Sequence, residues 1–276
     1  MRHSVADPCP LWWTVASVIN VLLLKAEVNH WDTGSPTLQY PLKFEITLCV
    51  RGVISPLLAN LYLHYAFDRW MAANFPQISF ERYADDAIVH CRTERQAQMM
   101  QKAIAKRLLE CGLELHPEKT RIIYCKDDLR KGRHTDEKFD FLGYEFRPRE
   151  SINRHGKVFT NFSPAVSTTA AKSMRQTIRS WRLRHCSHQS LEELSRLYNP
   201  IIRGWFQYYA RYYRTGLYSV IRQLDQELVR WASQKYKKLR RYTRRARQWV
   251  AAVSRRSPEL FAHWTMLRGG SLMGAV

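Results

Sequence analysis

The chain has 276 residues, 45% hydrophobic and 12% aromatic. Those values exclude a disordered or low-complexity chain, and the length suggests two domains of roughly 150 residues each. The formal net charge is +20, and it is segregated: residues 1–150 net +1, residues 151–276 net +19. So cationic a second half calls for a polyanion, and the Trp and Tyr among its Lys and Arg favour nucleic acid over a membrane surface. The six cysteines (Cys9, Cys49, Cys91, Cys111, Cys125, Cys186) contain no C-x-x-C pair. They give no zinc ribbon and read as thiols in a reducing compartment, so a cytoplasmic, nucleic-acid-associated location is expected.

Residues 1–50 show no sustained period and stay unassigned. Within them, LWWTVASVINVLLL (11–24) has the length of a signal-peptide core but falls short of a membrane span, and no clear small-x-small cleavage site comes after it. Order begins near Gly52. VISPLLANLYLHYAFDRWM predicts a helix with Ser55 as N-cap and Pro56 at its first position. Leu58, Leu61, Tyr62, Tyr65 and Arg69 are expected to share one face. ISFERYADDAIVHCRT then predicts a β-hairpin with its aspartates at the turn. Thr93 and Gln96 fit a capping box, opening a helix with Ala97, Met100, Ile104 and Leu108 on its core stripe and Gly112 as its stop.

LELHPEKTRIIYC reads as strand, turn, strand. After a polar loop (126–137), FDFLGYEF reads as a strand pair bent at Gly143. From about Ser163 the chain reads as helical. Asn199-Pro200 is taken as a helix start, with Ile201, Trp205, Tyr208 and Tyr212 facing a core and Arg203, Gln207, Arg211 and Arg214 as a basic flank. Leu217, Ile221, Leu224, Leu228 and Trp231 carry the stripe of the next helix. The order suggests an α+β layer and then a run of helices.

Chemistry concentrates in RYADDAIVH, residues 82–90, which sets Asp85 beside Asp86. Two such charges about 4 Å apart repel by about 4 kcal/mol at an effective dielectric of 20. A divalent metal would offset that, and two-metal phosphoryl transfer uses paired carboxylates in this way. A solvated turn, where Asp is common, explains the tripeptide equally well.

The ordered blocks GVISPLLANLYL, YADD, GLELHPEKTRI and FDFLGYEF resemble the last four palm blocks of group II intron reverse transcriptases. SPAVSTTAAKSMRQTIRSWR, NPIIRGWFQYYARYY, LDQELVRWASQKYKKLRR and PELFAHW are similar to the thumb and maturase domain of the same family, so the resemblance covers residues 51–265. It implies a partial polymerase palm (antiparallel sheet with helices) at 51–150 and a helical thumb and maturase domain at 151–276. Asp85 and Asp86 would be Mg²⁺ ligands for RNA-directed DNA synthesis, and Tyr83 and Ala84 would line the primer end. Lys119 would help pyrophosphate leave, or is simply a turn lysine. Leu142 and Gly143 would form the primer grip, or a glycine bend in a core strand.

In the last segment Arg203, Trp205, Tyr208, Tyr209, Arg211, Tyr212 and Arg214 match the maturase signature. The dense run Lys235, Lys237, Lys238, Arg240, Arg241, Arg244, Arg245 and Arg247 reads as contact with RNA phosphates. The implied partners are intron RNA and an RNA template with a DNA primer, with no membrane. The family pattern also has an upstream aromatic-Asp-aliphatic block, fingers blocks and a Pro-Gln-Gly before GVISP, and none is visible here. Asp7, Asp32 and Asp68 are rejected as the missing ligand. The expectation is an N-terminally truncated chain that holds Mg²⁺ weakly and does not polymerise DNA alone. The alternatives are a non-catalytic splicing cofactor that binds intron RNA, or a non-functional relic.

Overall fold

A computed structural model describes residues 13–18, 54–128, 132, 134–153 and 155–268. The chain is mixed α+β: small antiparallel sheets come first, then a helical C-terminal region. It divides into two compact units at Lys138/Phe139.

The first unit is built on a four-stranded sheet. Strands β1 (Trp13–Val18), β2 (Phe80–Tyr83), β3 (Asp86–Cys91) and β4 (Arg121–Tyr124) lie in the order β2-β3-β1-β4, and every neighbouring pair is antiparallel. Strand β1, from the stretch left unassigned by sequence, is therefore central. With helices α1 (Ser55–Leu63) and α2 (Arg69–Asn74) before the hairpin and α3 (Glu94–Glu110) after it, the path is β-α-β-β-α-β, the split βαβ arrangement. The helices cover the face to which Ala87, Val89 and Cys91 of β3 point. Leu63, Phe67 and Met71 meet Ala97, Met100, Ile104 and Leu108 there.

The expected stripe of α3 is the buried one, Thr93 caps it by accepting from the Gln96 amide, and Gly112 ends it at φ +69°. The box is varied, because the Gln96 side chain accepts from Arg92 rather than from the cap residue. Two expectations fail. LELHPEKT holds no strand; only Arg121–Tyr124 pairs. Helix α1 begins at Ser55 with Ile54 as its cap, and Leu58, Leu61 and Tyr65 are exposed while Leu63, Ala66, Phe67 and Met71 are buried. The buried residues form a regular helical stripe of their own, two positions along from the expected one. It runs through a π-helical turn, His64–Asp68, in which the Arg69 amide reaches back five residues to the His64 carbonyl.

The second unit opens with a three-stranded sheet, β5 (Phe139–Phe141), β6 (Tyr144–Ile152) and β7 (Val158–Val166), in that order. Strand β7 corrects the expectation of helix from Ser163: α4 (Thr168–Ser180) starts later, capped by the Ser167 hydroxyl. Helices α5 (Leu191–Tyr209), α6 (Tyr218–Lys235), α7 (Thr243–Arg256) and α8 (Ala262–Arg268) come next, and the expected stripe of α6 is buried throughout.

Helix α5 departs most from expectation. It starts at the capping box Ser190/Glu193 and runs through Asn199-Pro200 without stopping. Proline deprives the Arg196 carbonyl of its donor, but Pro200 and Arg196 are both exposed, so that carbonyl meets water. Its buried residues include Leu191, Leu194, Ile202 and Phe206, one position away from the expected stripe, and Ile201, Tyr208 and Tyr212 are exposed. Asn199 instead points inward. Its amide donates to the Leu260 carbonyl (2.8 Å) and its oxygen accepts from the Ala262 amide (2.9 Å), fastening the start of α8. Replacing Asn199 with Ala leaves both groups unpaired, and a loss of about 2 kcal/mol is expected in urea unfolding.

Candidate functional site

The hairpin joining β2 to β3 pairs Tyr83 with Asp86, leaving Ala84 and Asp85 as its two turn residues. Ala84 sits at φ +53°, a conformation that costs a non-glycine residue energy. Arg82 supports it. Its guanidinium donates to the Ala84 carbonyl (2.7 Å), to Asn60 Oδ1 of α1 (3.0 Å) and, with two nitrogens, to both oxygens of Asp68 (2.7 Å each). The π turn is the element that carries Asp68. Asp68 is thus paired with Arg82, and His64 Nδ1 lies 3.3 Å from its Oδ2. Sequence reading passed over Arg82 although it stands next to YADD.

Asp85 is exposed and Asp86 half-buried, so the pair sits at the lip of the sheet rather than in a buried strand. Burial first and the Asp85 charge second push the Asp86 carboxyl above its usual range, with Lys119 opposing. Lys119 lies in the turn before β4, within electrostatic reach of Asp86. Tyr83 is 64% exposed beside the turn. In register, Val18 of β1 stands opposite Asp86, and β1 reads WTVASV without a carboxylate. Among the described residues no group of three His, Cys, Asp or Glu could hold a metal ion.

The second turn, Leu142–Gly143 between β5 and β6, has both residues at positive φ (+51° and +78°). The Tyr208 hydroxyl donates to the Leu142 carbonyl (3.0 Å), the Tyr144 hydroxyl donates to the Tyr208 carbonyl, and the Ser167 amide donates to the Gly143 carbonyl (2.9 Å). The Tyr144 ring meets those of Tyr208, Tyr209 and Tyr212 with centroids 5.2, 5.3 and 5.8 Å away. Trp205 lies parallel to Trp181 at 5.8 Å and packs on the helical core. The signature residues therefore split. Trp205 and Tyr209 are packed, Tyr208 and Tyr212 are exposed at the turn, and Arg203, Arg211 and Arg214 are exposed cations.

Of the basic run, Lys237, Lys238, Arg240, Arg241, Arg244, Arg245 and Arg247 are all exposed. Arg245 lies over the Tyr242 ring at 4.5 Å. Lys235 is different: half-buried, it donates to the Ser187 and Gln189 carbonyls (3.1 and 2.6 Å) and lies over Trp231. It serves the fold. Cys91 also belongs to the core, burial pushing its thiol up to about 11. No described helix is long and apolar enough to cross a membrane.

A reverse transcriptase (RNA-dependent DNA polymerase) family model matches residues 47–146, and a group II intron, maturase-specific domain model matches residues 171–249. Comparison with curated proteins gives no match.

Two outcomes are expected at the hairpin. Replacing Arg82 with Met leaves Asp68 with only the His64 contact and frees the turn carbonyl, and should cost about 3 kcal/mol in denaturant unfolding. Because the folded Asp86 carboxyl titrates above its unfolded value, its contribution to stability is lost as pH rises through the folded pKa. Asp86→Asn should therefore raise the melting temperature at pH 7 in chelator, with the advantage fading as pH falls through the acid range.

Proposed function

We propose that this chain, which belongs to the group II intron reverse transcriptase and maturase family, binds folded intron RNA through its cationic helical unit and does not polymerise DNA by itself. The carrying observation is the net charge of +19 on residues 151–276, together with seven exposed Lys and Arg side chains between positions 237 and 247. Maturase action clamps folded RNA. It needs charge, shape and stacking surfaces rather than paired carboxylates. Arg203, Arg211 and Arg214 add cations along α5 and just beyond it. Tyr208 and Tyr212 offer exposed rings beside them.

The polymerase part of the reading rests on the donor set. Mg²⁺ serves the family's polymerase chemistry, and Asp85 and Asp86 are the residues that would hold it. Two adjacent carboxylates of one hairpin, Asp85 on its turn and Asp86 opening β3, do not by themselves fit a two-ion site, which needs further oxygens to bridge the ions. The strand beside Asp86 offers Val18 in register and no acid along its length. Tyr83, Ala84 and Lys119 lie at or near the turn, Tyr83 exposed and Lys119 within electrostatic reach of Asp86, and by the family reading they would serve primer and pyrophosphate handling. The family reading puts a palm portion at 51–150 and a thumb and maturase portion at 151–276, whereas the compact units divide at Lys138/Phe139 and β6 crosses residue 150.

Filter binding of intron RNA tests the first part. Affinity should survive Asp85→Asn with Asp86→Asn, collapse when the seven exposed cations are replaced by Gln, and fall about 10³- to 10⁵-fold between 50 and 200 mM salt. Indifference to folded RNA at low salt would sink the proposal. Primer extension on an RNA template with Mg²⁺ tests the second part. No incorporation is expected, and incorporation abolished by Asp85→Asn would establish an active polymerase instead.

A further inference from the structure

The Leu142–Gly143 turn and the C-terminal end of α5 hold each other by reciprocal bonds. The last carbonyls of a helix lack intrahelical donors. One of them, on Tyr208, is met by the Tyr144 hydroxyl, from the residue directly after the turn. The Tyr208 hydroxyl returns the contact to the Leu142 carbonyl. Leucine is a poor residue at φ +51°, since its Cβ crowds the backbone there. The turn keeps it because both turn carbonyls are bonded from outside, by Tyr208 and by the Ser167 amide.

Gly143 has two reasons to be glycine. Its φ of +78° is one. The other is room: a Cβ at this position would lie 2.6 Å from the Tyr209 hydroxyl oxygen and 3.4 Å from two ring carbons. The Tyr209 ring cannot retreat freely, because the rings of Tyr144 (5.3 Å) and Tyr208 (4.7 Å) flank it. Tyr209 is thus the mould against which the turn is shaped, and Tyr208 is its tether.

We propose that Tyr208 and Tyr209 are positioning residues: they fix the Leu142–Gly143 turn in the one conformation that receives a nucleic-acid primer strand. This rests on the family reading of that turn as a strand-binding element. It assigns two residues of the maturase signature to shaping the turn through its backbone. The surface so made is suited to that partner. Tyr208 and Tyr212 are 46% and 61% exposed, and Arg211 is exposed between them in sequence.

The test measures the full chain's affinity, by fluorescence anisotropy, for a short RNA/DNA hybrid with a recessed primer end, and in parallel for folded intron RNA. Gly143→Ala should weaken hybrid binding at least about tenfold more than intron-RNA binding. Adding Tyr209→Phe, which removes the colliding oxygen, should recover most of that loss, a rescue that general destabilisation would not produce. Tyr208→Phe, which keeps the ring and loses only the tether, should lower hybrid affinity about threefold to tenfold, more than intron-RNA affinity, with the chain still folded at the assay temperature; it serves as the primary probe if Gly143→Ala does not fold. Equal losses on both ligands, no rescue by Tyr209→Phe, an unaffected Tyr208→Phe, or a parent chain that ignores the hybrid would each overturn the inference. Failure to bind intron RNA with hybrid binding intact would instead count against the functional reading alone.

Discussion

Two tight hairpins each bend through a residue other than glycine at positive φ, Ala84 in one and Leu142 in the other. The constraint on which both depend is a side-chain hydrogen bond to the carbonyl of that residue: Arg82 on Ala84 in one, Tyr208 on Leu142 in the other. A left-handed alanine or leucine persists only where its surroundings over-determine it. Arg82 can do so because Asp68 and Asn60 hold three of its hydrogen bonds. Tyr208 can do so because its own backbone is held by Tyr144. In both turns the strained residue is held by a neighbour whose importance is invisible until the donors and acceptors are counted.

The two units divide the electrostatics. The first is nearly neutral and spends its charges on internal pairs, Arg82 with Asp68 and His90 with Glu81 among them. The second has few acids to pair with, so most of its cations stay exposed. Where one is used internally, as Lys235 is, it bonds to backbone carbonyls and an aromatic face rather than to a carboxylate. A helical surface with unpaired cations repels itself, and a polyanion is the partner that relieves this repulsion. The same logic applied to Asp85 and Asp86 gives the opposite sign, with Lys119 opposing the effect of Asp85 on Asp86.

Sequence is legible here to the extent that periodicity encodes structure. Helices α3 and α6 are regular, so counting by 3.6 places Ala97 to Leu108 and Leu217 to Trp231 correctly in their cores. The hairpins are legible because turn residues sit between β-favouring runs. The failures have local causes. In the helix after SPLL two apolar stripes share the helical period, and the buried one is Leu63, Ala66, Phe67 and Met71, so periodicity alone does not choose between them. Asn199-Pro200 mimics a helix start, whereas the SLEE capping box, present in the sequence, is the true signal. Strand β1 is out of reach because its partners, β3 and β4, are more than sixty residues away, and register across such a distance is set by the sheet. Arg82 is discoverable by asking what neutralises Asp68.

Strand β1 also changes what the aspartate pair means. In a split βαβ sheet the first strand lies between the hairpin strand and the last, so it is the strand that stands in register with the hairpin on its inner side. Here it is TVASV after Trp13, apolar or hydroxyl-bearing at every place, which suits a central strand and supplies no charge. Such a strand completes the sheet and brings no carboxylate of its own to the position facing Asp86. What a sheet asks of that position is backbone pairing and a side chain that tolerates a central place, and an apolar or hydroxyl-bearing residue meets both demands.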